Sequence, residues 1–416
     1  PEHIPLSFSQ ERLWFIDKFE GSIQYHIPAV LRFKGKLNKD AMKQSLQSIV
    51  NRHEILRTVI LEDEGVGYQS VKEKDKWQLM IIDGSQFRED NEAMRSYILE
   101  LITAPFNLSQ DYMMRAHLIE IDEEDNLIVL TMHHIASDGW SSSVIVKELV
   151  ELYESFVKNR EADLQPLKIQ YADFALWQRK NIQGEVLDKK LEYWKDKLEG
   201  IEPIQLPTDF PRPAVQSTKG ANVNFNINKE LTESIQTLAN EHGSTLFMTL
   251  LASFKVLLNR YSSQNDICVG SPIAGRQQEE VEELIGFFIN TLALRNEVKE
   301  DSTFAELLFK VRNTTLEAYD NQEIPFEKVV EAASKQRDID RSSLFQVMFV
   351  LQNMPDVPEL TLGDLKLSTE EFENVNAKFD ITLFMVQSPN GIDGSFEYCT
   401  DLYKEETIVR MISHFK

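Results

Sequence analysis

The amino-acid sequence predicts a mixed α/β fold in which helices cover β-sheets. Apolar residues recur with the period of a strand and then with that of a helix, and the two patterns alternate along the chain. The chain has 416 residues, of which 42% are hydrophobic, so about two or three domains can each bury a core. Cys268 and Cys399 are the only cysteines, so we expect neither a disulfide framework nor a cysteine zinc site.

The elements of the first half follow from local patterns. Ser7 and Gln10 have the spacing of a capping box in front of a first helix. Asn38 is a favoured cap for a second helix, which follows a strand with alternating apolar residues at 29–33. We also predict strands at 112–121 and 126–133, joined by an acidic turn, and a long helix at 141–156.

The second half begins after a boundary. A polar stretch at 159–183 predicts a loop between two lobes, and a charged helix follows near 187–198. An extended connector is then predicted by four prolines, Pro203, Pro207, Pro211 and Pro213. Beyond it we expect strands at 223–227, 267–271, 345–351, 379–386 and 392–398, and helices at 231–240, 246–261 and 304–319. The last helical pattern runs to Lys416 without a cap, so we expect the chain to be part of a longer protein.

The charge of the chain excludes several classes of function. Lysine and arginine total 44 against 67 aspartates and glutamates, for a net charge of −23, whereas a nucleic-acid binder needs a basic face. The most apolar stretch, at 246–258, is interrupted by Ser253 and Lys255 and is too short to span a bilayer. The N-terminus carries no signal pattern. We therefore expect a soluble, cytoplasmic protein with neither nucleic-acid nor membrane partners.

The segment at 131–141, with the sequence TMHHIASDGWS, carries the clearest chemical signal. It lies where an apolar strand ends and a helix begins, and such junctions expose reactive side chains in α/β folds. His133 and His134 must point to opposite sides because strand side chains alternate. Asp138 can turn back toward the histidines or toward an arginine. Gly139 permits a sharp turn or the close approach of a ligand.

These residues favour proton transfer by a histidine, with an aspartate holding the local geometry. A serine or cysteine nucleophile in a GxSxG elbow is missing from the sequence, so direct attack of an amine, hydroxyl or thiol on an acyl donor fits best. A structural role for both histidines stays open. A zinc site is disfavoured because zinc needs convergent ligands and adjacent strand histidines diverge. We predict no metal site.

At this segment the sequence resembles the condensation domains of nonribosomal peptide synthetases, whose signature is HHxxxDG. Further blocks follow in the order of that family: SFSQERLWF at 7–15, RHEILRT at 52–58, YADFALWQ at 171–178, IGFFINT at 285–291, NQEIPFE at 321–327 and RDIDRSSLFQ at 337–346. The departures from the family pattern are Ser9, Asn321, Asp340, Ser342 and Ser343. Seven blocks in one order exclude a chance match.

The resemblance implies two chloramphenicol-acetyltransferase-like lobes that form a V-shaped pseudo-dimer, with a tunnel between them and the histidine motif at its middle. We expect the N-terminal lobe, which carries the motif, at 1–175 and the C-terminal lobe at 176–416. The segment at 286–291 would then be the loop that closes the tunnel floor.

The resemblance also implies amide formation between two substrates held on carrier proteins. The amine of a downstream aminoacyl thioester would attack the thioester of an upstream acyl or peptidyl chain. Both substrates would arrive on phosphopantetheine arms, and the domain itself would bind no cofactor. The implied partners are the upstream and downstream peptidyl carrier proteins and an adjoining adenylation domain.

Residue by residue, the resemblance makes His134 the catalytic histidine and His133 its supporting neighbour, followed by Asp138 and Gly139 of the motif. It implies that Asp138 pairs with an arginine, and Arg276 is the best candidate for this structural support. An α-amino group has a pKa near 8, so deprotonating it at pH 7 costs only about 1.4 kcal/mol. We therefore expect His134 mainly to orient the amine and to relay its proton late.

Other activities occur on the same fold, and two of them stay open. Heterocyclisation members replace the histidine motif with an aspartate pair, whereas both histidines are present here. Trp140 and Ser141 after the motif resemble condensation members rather than epimerisation members. The segments at 134–141 and 286–291 most resemble the L-donor/L-acceptor subtype. Epimerisation and non-catalytic carrier docking remain alternatives. A free-standing acyltransferase that uses coenzyme A does not fit the seven blocks.

Docking of carrier proteins is expected to be weak. Carrier proteins are commonly acidic, and like charges oppose association with a chain of net charge −23. We expect docking through local basic or apolar patches, or covalent tethering that raises the effective concentration. The candidate basic residues are Lys34, Lys36, Lys39, Arg179 and Lys180.

Overall fold

The computed structural model describes residues 3–215, 217–333, 344–352, 361–369 and 377–416. The chain forms two compact units. The first comprises Pro1–Ile182, Arg276–Ile289 and Met354–Glu373, and the second comprises Gln183–Gly275, Asn290–Asn353 and Asn374–Lys416. The lobe boundary at residue 175 remains a prediction. The first compact unit runs to Ile182 and also includes two later segments of the chain. Residues 337–343 of the last family block lie outside the described residues.

Strands and helices alternate along the described chain. Before the proline-rich connector they are β1 (Ile4–Pro5), α1 (Phe8–Glu20), β2 (His26–Lys34), α2 (Lys39–Arg52), β3 (Thr58–Asp63), β4 (Val66–Val71), β5 (Met80–Asp83), α3 (Asn91–Thr103), β6 (Met114–Asp122), β7 (Asp125–His133), α4 (Gly139–Lys158), α5 (Tyr171–Asn181) and α6 (Gly184–Leu198). After it they are β8 (Gly220–Asn228), α7 (Lys229–Glu241), α8 (Leu246–Ser262), β9 (Asp266–Ile273), α9 (Glu279–Glu282), β10 (Asn290–Glu297), α10 (Phe304–Asp320), α11 (Phe326–Ala333), β11 (Val347–Gln352), β12 (Thr361–Leu362), β13 (Leu365–Thr369), β14 (Ile381–Ser388), β15 (Gly391–Cys399) and α12 (Glu405–Phe415).

The first unit is built on a sheet with the strand order β12-β13-β2-β7-β6-β5. Its pairs are antiparallel except that β5 runs parallel to β6. All residues of β7 are buried, which explains its continuous apolar run. One face packs on α2 and α4 around Phe33, Met42 and Ile128, and the other packs on α3 around Ile98 and Val129. Because β7 is central, its last residue, His133, is held on both sides.

The second unit has its own sheet, with the strand order β10-β9-β11-β14-β15-β8. Strand β11 runs parallel to both β9 and β14, and the other pairs are antiparallel. Helix α8 contributes Phe254 and the fully buried Lys255 to the core. The Lys255 ammonium donates to Leu294 O (2.6 Å) and to Asn296 Oδ1 (2.7 Å), and burial lowers its pKa to about 7. These two acceptors satisfy the amine inside an apolar core.

Most predicted elements are confirmed. The capping box of Ser7 and Gln10 begins α1, the two strands of the acidic turn are β6 and β7, and the long helix is α4. Between α6 and β8 the described residues form no further helix or strand, as the prolines predicted. No helix among the described residues combines the length and apolar character needed to cross a membrane.

The loop predicted at 159–183 is wrong over its second half, where α5 forms. The residue before the helix, Gln170, donates its N–H to Asp173 Oδ2 (2.8 Å), and Tyr171 and Ala175 are buried. Intrinsic propensity was a poor guide because contacts with distant parts of the first unit stabilise this helix. One such contact joins Phe8 N–H to Gln178 Oε1 at 3.0 Å.

Candidate active site

The predicted motif occupies the junction between β7 and α4. His133 ends β7, residues His134–Ala136 form a 3₁₀ turn, and Asp138 caps α4. The Nδ1 atom of His133 accepts a hydrogen bond from Ile135 N (3.0 Å), so the first histidine caps the turn that carries the second. The two histidines and the aspartate are therefore parts of one local structure.

His133 is completely buried and both its ring nitrogens are hydrogen-bonded. Its Nε2 atom lies 2.8 Å from Ser22 Oγ, and its ring packs edge-on against Phe106 and His26. Burial is the main reason that the pKa of His133 is lowered to about 3. The ring is therefore neutral at physiological pH, and it supports the turn without being accessible to a substrate.

His134 is placed differently. The residue is half-buried, and its ring lies 4.5 Å from the Phe287 ring, with the two planes inclined by 58°. Only His133 lies in the strand, whereas His134 begins the 3₁₀ turn, so the predicted alternation along one strand does not apply to this pair. Of the two histidines, His134 is the less buried.

Asp138 turns toward an arginine rather than toward the histidines. Its Oδ1 accepts from Ser141 N (2.9 Å), Ser141 Oγ (2.8 Å) and Arg276 Nη2 (3.1 Å), and its Oδ2 accepts from Phe288 N (3.1 Å). The carboxylate is buried, with its side chain 2% exposed. Both oxygens of this buried carboxylate therefore have hydrogen-bond donors.

Arg276 organises the segment that follows it. Its Nη1 donates to Val281 O (2.5 Å) and Leu284 O (2.6 Å), while its Nη2 reaches Asp138. The guanidinium also lies over the Phe288 ring at 4.3 Å from the centroid. Burial lowers the pKa of Arg276, and the negative Asp138 opposes that change. This ion pair therefore anchors 276–289 to the start of α4.

Two residues near the turn were missed by sequence reasoning. Tyr171 Oη donates to Phe287 O (2.8 Å) and so holds the residue whose ring packs on His134. Gly286 leaves room for the tyrosine, because a Cβ atom there would lie 2.3 Å from Tyr171 Cδ2. The family blocks could have indicated both residues. Tyr171 begins the block at 171–178, and Gly286 is the second residue of the block at 285–291.

His53 was also missed, since it had no partner at a recognisable spacing. Its Nδ1 accepts from Ile285 N (3.3 Å) and its Nε2 lies 2.9 Å from Glu148 Oε2. Arg52 Nε donates to the other oxygen of Glu148 at 2.9 Å. His53 and its partner Glu148 on α4 thus fix the backbone at Ile285, in the segment that carries Phe287.

Gly139 does not form a sharp turn. It is the first residue of α4, its φ is not positive, and a Cβ atom added there would meet nothing within 4 Å. The residue is exposed. The absence of a side chain at Gly139 therefore leaves open space beside the N-terminus of α4.

The predicted basic patches are largely neutralised. Three of the five cationic side chains lie against carboxylates, in the ion pairs Lys34–Asp125, Lys39–Glu120 and Arg179–Glu11.

Helix α1 carries two exposed aromatic side chains. Phe15 is 59% and Phe19 71% exposed, and their rings are 4.6 Å apart. Ile23, just beyond the helix, is also exposed.

A family model described as the condensation domain matches residues 1–416 of the chain. The chain belongs to the condensation-domain family. The domain is 46% identical over 419 residues to a linear gramicidin synthase protein of Brevibacillus parabrevis, a match that covers 100% of this chain and 5% of that protein. It is 38% identical over 416 residues to gramicidin S synthase 2 of Aneurinibacillus migulanus, covering 100% of this chain and 9% of that protein. The chain therefore spans less than a tenth of these two relatives.

Solved structures share the fold of the condensation domain. The X-domain from teicoplanin biosynthesis matches with a TM-score of 0.88 at 24% identity, covering 100% of this chain and 94% of that one. A four-domain nonribosomal peptide synthetase bound to AMP and glycine matches with a TM-score of 0.85 at 23% identity, covering 99% of this chain and 32% of that one. The predicted mixed α/β fold is confirmed. Membership of the family makes the domain an enzyme of nonribosomal peptide synthesis that forms peptide bonds.

Proposed function

We propose that this condensation domain joins two carrier-bound substrates and that His134 is its catalytic residue. The observation that carries the proposal is the contrast within the motif. His133 and Asp138 are buried and hydrogen-bonded, whereas His134 is half-buried and lies on the surface of the turn beside Phe287. His134 is thus the one side chain of the three that combines a titratable ring with access.

In the proposed reaction, the amine of the downstream aminoacyl thioester attacks the carbonyl carbon of the upstream thioester. The new C–N bond forms, the upstream C–S bond breaks, and the thiol leaves on its phosphopantetheine arm. The amine nitrogen loses a proton and the lengthened chain stays on the downstream carrier. The domain contributes its own side chains and binds no cofactor in this scheme.

His134 is proposed to orient the amine and to take its proton after the tetrahedral adduct has formed. Free amines are already partly neutral near pH 7, so deprotonating the amine before its attack would lower the barrier by only about 1.4 kcal/mol. Holding the amine at the carbonyl can contribute far more to the barrier. Asp138 and Arg276 act indirectly by fixing the segment that carries Phe287. Gly139 leaves the space beside α4 open to a substrate arm.

The proposed partners are an upstream and a downstream carrier protein and an adjoining adenylation domain, all within a multidomain synthetase. We propose that a carrier docks on the exposed apolar residues of α1, Phe15 and Phe19, with Ile23 beside them. Apolar contact suits this association because the candidate cations are largely neutralised and the chain has a net charge of −23. The L-donor/L-acceptor subtype is part of the proposal and rests on the sequences of the segments at 134–141 and 286–291.

A single-turnover assay with two loaded carriers, followed by intact-protein mass spectrometry, tests the proposal. Wild type is expected to move the donor onto the acceptor, and His134→Ala to lose at least about 100-fold in rate. The matched control is His242→Ala, an exposed histidine at the end of α7, which is expected to keep the wild-type rate. A rate that stays flat between pH 6 and 8 supports orientation over base catalysis.

Other outcomes point to the alternatives. Carrier binding without any transfer by wild type would favour a docking module, and inversion of a carrier-bound residue without transfer would favour epimerisation. Paired donors of L and D configuration test the subtype, since an L-specific domain is expected to transfer the L donor faster. Equal rates for the two donors would contradict it.

A further inference from the structure

A chain of side-chain hydrogen bonds lies behind His133, on the far side from the turn. Ser22 lies between α1 and β2, is 4% exposed, and has its hydroxyl 2.8 Å from His133 Nε2. The same hydroxyl donates to Oδ1 of Asp17, a half-buried residue in the last turns of α1. Neither Ser22 nor Asp17 belongs to the histidine motif.

The direction of each hydrogen bond follows from chemistry. A backbone N–H only donates, so His133 Nδ1 must accept from Ile135 N. A neutral ring therefore carries its proton on Nε2 and donates a hydrogen bond from Nε2 to Ser22 Oγ. The Ser22 hydroxyl in turn donates a hydrogen bond to the Asp17 carboxylate. Burial keeps the ring neutral, since it lowers the pKa of His133 to about 3. All the donors therefore point from Ile135 toward Asp17.

This direction matters because the accepting Nδ1 atom caps the turn that carries His134. If the ring tilted or its proton moved to Nδ1, two N–H groups would face each other 3.0 Å apart and the turn would lose its cap. Asp17 binds the hydroxyl proton of Ser22, so that a lone pair of Ser22 is presented to His133 Nε2. The pair thus stabilises one orientation and one tautomer of the ring.

We propose that Ser22 and Asp17 are positioning residues that hold the His133 ring where it caps the turn and thereby set the position of His134. Neither residue touches the reacting groups in this scheme. The effect on rate rests on the proposed function of His134, whereas the effect on the turn does not.

The structural arm of the test uses histidine-labelled domain and NMR. Wild type is expected to show a hydrogen-bonded Nε2–H signal for His133. Because His26 also contacts the Phe106 ring, the signal is assigned by its absence from a His133→Asn variant. In Ser22→Ala that signal should be lost, and protection of the Ile135 amide against hydrogen exchange should fall about tenfold relative to Ile128 in the middle of β7. Unchanged Ile135 protection, or an equal fall at both amides, would overturn the proposal.

The kinetic arm compares variants in the two-carrier assay. Ser22→Ala is expected to lower kcat about 10- to 100-fold with little change in the KM for the acceptor. Asp17→Asn keeps an accepting oxygen, so its kcat should lie between those of Ser22→Ala and wild type. Because Asp17 is only half-buried, this variant still tests the proposal if Ser22→Ala does not fold. The control is Ser45→Ala, a buried serine on α2 that bonds to Ala41 O, and it should match wild type.

The two arms separate the possible failures. If wild type makes no amide, the proposed function fails, while the Ile135 measurement still decides whether Ser22 positions the turn. If Ile135 is deprotected in Ser22→Ala but kcat is unchanged in an active enzyme, the link from the turn to His134 is wrong.

Discussion

Two pairs of a buried aspartate and an arginine, one in each compact unit, have the same charges and different surroundings. In the second unit, Arg212 of the proline-rich connector forms a two-pronged pair with Asp380, with Nη1 3.0 Å from Oδ1 and Nη2 against Oδ2. In the first unit, Arg276 contributes one nitrogen to Asp138, and the backbone N–H groups of Ser141 and Phe288 supply further donors.

The difference shows how one ion-pair chemistry serves two purposes. The Asp380 pair ties a connector to the start of β14, so its loss should affect the stability of the second unit. The Asp138 pair ties α4 to the segment at 276–289, which carries the Phe287 ring next to His134. Its loss should therefore affect both stability and catalysis. Two matched comparisons between the units can test this distinction, and a third can test carrier docking.

The largest effects are expected from Asp138→Ala and Asp380→Ala. Asp138→Ala leaves a buried guanidinium without its carboxylate and should lower the free energy of unfolding by about 3–5 kcal/mol in urea titrations. Asp380→Ala leaves the half-buried Arg212 without its carboxylate and should cost less. Single-turnover rates, measured where both variants are folded, should be strongly reduced only for Asp138→Ala. Equal loss of activity in the two folded variants would show that the pairs do not differ in function.

Two glycines packed under aromatic rings give an intermediate effect. A Cβ atom at Gly286 would lie 2.3 Å from Tyr171 Cδ2, and one at Gly394 would lie 2.2 Å from Phe225 Cζ. Both alanine variants should lose about 1–3 kcal/mol of stability through overpacking, measured by denaturant unfolding. Gly286→Ala should in addition lower kcat about tenfold because the Tyr171–Phe287 contact moves. Activity that falls only in proportion to stability would contradict a positioning role for this segment.

The smallest effect concerns two exposed phenylalanines. Phe19 on α1 is 71% exposed and Phe309 on α10 is 60% exposed. Phe19→Asp should weaken the binding of a carrier by about 1.4 kcal/mol, which is tenfold in Kd by titration, whereas Phe309→Asp should leave it unchanged. Added salt should strengthen or preserve binding of wild type, because it screens like charges. Marked weakening by salt would indicate that docking is electrostatic.

Local features of the site could be predicted because they depend on neighbours in the chain. The position of the motif between an apolar strand and a long helix follows from the hydrophobic pattern on either side of it. The α/β class follows from the same periodicities. The family blocks added the pairing of Asp138 with Arg276, which local patterns left open.

Local patterns left open which histidine is accessible and what occupies Asp138, and the tertiary structure decides both. Its partners Arg276 and Phe288 lie 138 and 150 residues further along the chain, and Ser22 lies 111 residues before His133. Helix α5, predicted as a loop, forms because Tyr171 is buried beneath the segment around Gly286. Periodicity and capping report on dihedral angles within a few residues, whereas these contacts depend on how sheets and helices pack over the whole unit.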